Sequence, residues 1–182
     1  MTHLRRPRTI RLHRQVPTLA LAAAALVGVG ACGGDGSGGD GATSDDRRDR
    51  QAEVAERGAD VMPFDLDATT HRFEPTDDGL VQTVVADDPG DSEQVALVRQ
   101  HLADEAERFR QGDYADPAAI HGNDMPGLGE LEAGADAIRV DLADAAAGAR
   151  LTFTAEDVAL VDALHRWADA QTMDHGAHAE AP

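Results

Sequence analysis

Two stretches of this chain run through the same order of patterns, and that recurrence limits the folds open to it. Residues 70–86, THRFEPTDDGLVQTVVA, alternate apolar and polar residues on either side of Asp77-Asp78-Gly79, as two strands joined by a tight turn would. The next segment, DSEQVALVRQHLADEAERFRQGD, changes period. Val95, Val98, Leu102, Ala106 and Phe109 fall on one face of a helix, Asp104 can pair with Arg108, and Gly112 supplies the stop. Residues 137–154, AIRVDLADAAAGARLTFT, repeat the hairpin around Gly148. Thr154–Asp157 then resembles a capping box, and DVALVDALHRWADAQTMDH is a second amphipathic helix. The tetrapeptide VALV occurs in both helices, at 95–98 and 158–161.

A lone hairpin is marginal in water, so neither unit is expected to fold by itself. The expected fold is α+β: a tandem ββα-ββα repeat whose hairpins form one four-stranded antiparallel sheet with two helices on one face. Aligning the helices on VALV sets His101 and His165 beside the apolar stripes, at the edge of the core. The folded domain is expected over 61–176, with 177–182 a disordered tail.

The front of the chain is a different object. All 16 basic residues are arginine, and five of them precede residue 15, where there is no acid. Val16–Val29 follows as an apolar run of about 21 Å if helical, short of the roughly 30 Å hydrocarbon core. A basic start, a short apolar stretch and small residues at its end read as a cleaved export signal over 1–31. Val29-Gly30-Ala31-Cys32 resembles a bacterial lipobox, with valine where leucine is commoner. That resemblance implies that Cys32, the only cysteine, carries a lipid and becomes the new N-terminus, anchored on the extracytoplasmic face of the cell membrane. Residues 32–60 then read as the lipidated cysteine and a flexible acidic tether rich in Gly, Ser and Asp, with a short helix at most near 49–60. Removing 1–31 takes five arginines and none of the 34 acids, so the formal charge moves from −18 to −23. Nucleic acid and anionic surfaces repel such a chain, while cations and cationic partners are favoured.

Between the two units lies YADPAAIHGNDMPGLGELEAG, residues 114–134, long for a connection in a small domain and therefore of functional interest. Its centre places an imidazole, a carboxylate and a thioether within five residues, at His121, Asp124 and Met125. Imidazole with carboxylate suits zinc, and imidazole with thioether suits copper outside the cytoplasm. The expected metal set is His121, Asp124 and Met125 with help from His71, His101 or His165; no HExxH or CxxC spacing supports it.

Absent residues prune the enzyme classes. The only serines are Ser37, Ser44 and Ser92, outside any nucleophile setting, and the absence of lysine removes Schiff-base chemistry and the phosphate-loop lysine. Carboxylate or histidine acid–base work, with His121 and Asp124 as first candidates, is the weakest of three readings. A binding protein, for copper or zinc in its sharper form, comes first, and a structural or protein-interaction module with a partner at the cell envelope comes second.

The stretches RGADVMPFDLDATTHRF, IHGNDMPG and HRWADAQTMDHG together resemble an uncharacterised bacterial family, over about residues 57–176. Its members are sometimes labelled aspartate carbamoyltransferase. The phosphate-binding Ser-Thr-Arg-Thr loop, the His-Pro-x-Gln motif and any lysine are missing from this chain, so the resemblance implies no such activity here.

Overall fold

The computed structural model describes residues 43–180; the expected signal segment, Cys32 and the start of the tether lie outside them. The chain is α+β. Strands β1 (Thr69–Thr76), β2 (Gly79–Ala86), β3 (Ile138–Ala145) and β4 (Gly148–Ala155) form an antiparallel sheet in the order β3-β4-β2-β1, and β5 (Ala179–Glu180) adds a short parallel pairing beside β1. Each hairpin turns where the Asp-Gly and Ala-Gly signals stand, pairing Thr76 with Gly79 and Ala145 with Gly148. The hairpins join through β2 and β4, with Gln82 opposite Leu151 at the centre of the register. Gly148 is required there, because a Cβ would sit 2.0 Å from the Val84 carbonyl oxygen.

Helices α2 (Ser92–Arg110) and α5 (Val158–His175) send their apolar stripes into one core with the inward faces of the strands. Val98, Leu102, Phe109, Leu164 and Trp167 meet Phe73, Leu80, Val84, Leu151 and Phe153 there. The helices cross over: α2, which follows the first hairpin, lies chiefly on β3 and β4, and α5, which follows the second, lies chiefly on β1 and β2. Asp91 caps α2 by accepting from the backbone N–H groups of Glu93 and Gln94. Asp91→Ala is expected to lower stability by about 1 kcal/mol, read as a shift in the urea midpoint at unchanged slope.

Four local expectations are corrected. The connection at 114–134 folds into α3 (Ala115–His121) and α4 (Leu128–Gly134), with Tyr114, Ile120, Leu128 and Leu131 buried. It was legible only as a loop because its helices are seven residues each, too short to show a period, and glycines end one and start the other. Gly127 at φ +83° brings α4 so close to α5 that a Cβ would lie 2.2 Å from the Ala163 carbonyl oxygen. Helix α5 is capped by Asp157 rather than Thr154, which stays within β4. Arg108 pairs with Glu105, Asp113 and Asp116, and Asp104 instead accepts from Gln100.

The fourth correction concerns where the fold begins. Helix α1 (Ser44–Val61), started by a capping box between Thr43 and Asp46, packs on α3 and α5 well before residue 61. Its sequence hid this, because Val54 is its one large buried apolar residue and its docking is polar. Arg50 bonds both carboxylate oxygens of Asp174 and the His121 carbonyl, Arg57 reaches the Ile120 carbonyl, and Gln51 reaches that of Met173. At the other end, residues 179–180 join the sheet as β5 instead of trailing off. Among the described residues no helix is long and apolar enough to cross a membrane.

Candidate functional site

Along β1 the inward side chains are Thr69, His71 and Phe73, and along β2 they are Leu80, Gln82 and Val84. Two central positions of a two-layer core are thus polar, where alternation calls for apolar residues. Breaks of that kind in an otherwise consistent core mark functional places. His71 and Gln82 lie diagonally across the strand pair, since His71 is opposite Val84 and Phe73 opposite Gln82.

Both line a cavity between the sheet, α2, α3 and α5 that admits the centre of a water-sized sphere over about 30 Å³. Phe73, Val84, Leu102, Phe109 and Ile120 supply apolar wall, and four imidazoles, His71, His101, His121 and His175, supply much of the rest. His71 and His175 stack with ring centroids 4.9 Å apart and planes 10° from parallel, while His121 meets His175 edge-on at 5.1 Å. His121 Nδ1 lies 2.9 Å from the Asp174 carboxylate. Gln171 bonds both His175, at 3.2 Å from Nε2, and the His121 ring. His71 Nδ1 has no hydrogen-bond partner among the described residues.

Burial keeps these rings uncharged. His71 is held down at about 4, first by burial and then by the neighbouring imidazoles, and burial pushes His175 well below the ordinary histidine value. Burial also lowers His101 and His121, in each case against acids that favour the charged form. Asp174 is pushed up by burial but is held below the usual carboxylate range overall, because Arg50 and His121 bond it.

The mouth opens between α2 and α3 beside Met62, where His101, Asp116 and Met62 are partly exposed. Glu105 stands just inside. Burial raises its carboxyl to about 8, the charge of Asp116 adds to the rise, and Arg108 opposes it. Glu105 is therefore protonated at neutral pH and can donate to the Asp116 carboxylate.

The expected site residues divide accordingly. His71, His101 and His121 are brought to one cavity. Asp124 and Met125 are not: with His121 they line a separate surface groove that also includes Arg50 and Asp174, and Met125 is packed into the core. His165 stands apart, its Nε2 3.0 Å from the carbonyl oxygens of both Thr76 and Gly79, so that nitrogen is a donor and not a ligand. Among the described residues no group of three or more His, Cys, Asp or Glu side chains is placed to hold a metal ion. Stacked rings explain part of this, because parallel imidazoles aim their lone pairs side by side instead of at one point.

Sequence reasoning missed Gln82, Glu105, Trp167, Gln171 and Asp174 at this site. Gln82 carried a usable signal, as the one polar residue in phase with Leu80 and Val84. The contributions of Gln171 and Asp174 depend on how α5 is rotated against α3, which no local pattern encodes. No family model matches this chain, and neither a curated protein nor a solved structure is detectably similar to it.

Proposed function

We propose that this chain is a lipid-anchored, extracytoplasmic binding protein whose ligand enters the histidine-lined cavity. One observation carries the reading. Four buried side-chain polar atoms have no hydrogen-bond partner among the described residues, and three of them, His71 Nδ1, Gln82 Oε1 and Trp167 Nε1, belong to residues that line this cavity, the fourth being the Tyr114 hydroxyl elsewhere in the core. Each such orphan costs about 1–3 kcal/mol if left unmet, so three around one space favour a guest that meets them. An apolar cavity with a few convergent polar groups is the usual form of a small-ligand site. The anchor rests on the lipobox-like residues before Cys32, and the tandem ββα organisation belongs to the same reading, supported by the matching element order on either side of the β2–β4 pair.

Copper or zinc is the rival guest: four uncharged imidazoles line the cavity and His121 is oriented by a carboxylate as metal-bound histidines usually are, but no three His, Cys, Asp or Glu side chains among the described residues are placed to hold an ion. The interaction-module reading gains less. Among the described residues the exposed large apolar side chains are Leu142, Val158 and Met173, on β3 and at opposite ends of α5, and these do not make a patch.

The test is native mass spectrometry and elemental analysis of the full chain isolated from membranes, beside Gln82→Leu and His71→Phe. A bound mass or stoichiometric metal present in the parent and lost in both variants is expected. An empty parent protein, indistinguishable from the variants, would overturn the reading. Zinc and copper titration with a His121→Ala control decides the metal form, and the mass of the N-terminal peptide decides lipidation at Cys32.

A further inference from the structure

The three orphan atoms differ in kind, and the difference describes the guest. Trp167 Nε1 carries a hydrogen and can only donate. Gln82 Oε1 can only accept, and His71 Nδ1 accepts in the tautomer that carries the ring proton on Nε2. His71 is 2 % exposed and Trp167 0 %, so solvent reaches neither. The site thus asks for one acceptor and two donors in a guest small enough for about 30 Å³, where one water needs roughly 10–15 Å³.

A primary amide answers that request group for group. Its carbonyl oxygen accepts one hydrogen bond along a lone pair, and its NH2 donates two in the same plane. An ion does not. A cation would meet the Trp167 N–H, an anion would meet two acceptors, and the inner end of the cavity offers no opposite charge, since its imidazoles are neutral, Glu105 keeps its proton at neutral pH and the Asp116 carboxylate stands out at the mouth. Burial of an unpaired charge in such a wall is strongly disfavoured.

Resting on the binding reading above, we infer that the inner end of the cavity, at His71, Gln82 and Trp167, takes a small uncharged molecule of the primary-amide or urea type. Trp167 Nε1–H bonds the guest's carbonyl oxygen, and Gln82 Oε1 and His71 Nδ1 take its two N–H groups. With three or four non-hydrogen atoms the guest binds no tighter than about 0.5 mM for formamide or about 40 μM for urea.

Trp167 is the only tryptophan in the chain, so its emission reports the site without a label. The full chain in detergent is titrated with formamide, urea, sodium formate and zinc chloride at neutral pH, all at low millimolar concentration or below. Formamide and urea should give a saturable change in Trp167 emission, and formate, the charged counterpart of formamide, should give none. Gln82→Leu, which places an apolar residue in an apolar wall and so keeps the fold, should weaken formamide at least tenfold.

Three outcomes would overturn the inference. They are equal responses to formamide and formate, a saturable response to zinc alone, and no response to any probe with ordered waters filling the cavity in a crystal structure. A bound mass in the native protein together with silence toward formamide and urea would keep the binding reading and sink only the amide. An empty native protein that still responds saturably to formamide would do the reverse.

Discussion

Glu105→Gln is expected to make the protein more resistant to alkali. The folded-state pKa of Glu105, about 8, lies above the ordinary value of 4.5, so the folded chain holds a proton that the unfolded chain has released. Stability from this group is complete below about pH 4.5 and is lost as pH rises through about 8. At 1.36 kcal/mol per pH unit, the wild type should lose about 2–3 kcal/mol between pH 6 and pH 9 from this source, the opposing charge of Arg108 being already contained in the value of about 8. Glutamine keeps a donor for Asp116 and cannot ionise, so its urea midpoint should fall much less over the same range. Parallel wild-type and variant curves from pH 6 to pH 9 would show that Glu105 is ionised in the folded protein.

The acid limb has the opposite sign and another residue. His71 titrates at about 4 in the folded chain against 6.5 when unfolded, so the folded state takes up the proton reluctantly. Its stabilising contribution is complete above about pH 6.5 and is lost as pH falls through about 4, a total of about 3 kcal/mol. His175, pushed in the same direction by burial, steepens the fall. His71→Phe removes the titration and the orphan Nδ1 together, and phenylalanine can keep the ring contact with Phe73. Between pH 7 and pH 4 the variant should lose about 3 kcal/mol less than the wild type in urea titrations. An unchanged acid limb would mean that another group governs acid unfolding.

Much of the sheet was legible because its signals are local. Alternation in 70–86 and 137–154, the turn residues and the change of period into α2 and α5 each follow from the residues on the spot. Helix α1 was not legible, since an amphipathic pattern is the usual sign of docking and α1 docks through arginine on backbone carbonyls. The site was half legible. Histidines stand out in any sequence, and three of the expected six metal-set residues do meet at the cavity, but Asp124 and Met125 join only His121, in the separate groove, and His165 is claimed by a hairpin. The groups that give the cavity its hydrogen-bonding character, Gln82 and Trp167, are ordinary residues whose meaning depends on which neighbours they lack.

The crossing of α2 and α5 over each other's hairpins has a consequence for how the chain matures. The first hairpin is complete by residue 86, yet its covering helix is α5, which does not begin until Val158. Until that helix has emerged, the apolar face of β1 and β2 has only part of its cover, and the helix that follows it, α2, is waiting for strands not yet made. The first hairpin and α2 therefore lack most of their native cover until β3, β4 and α5 have been made, and the two-layer core can close only then.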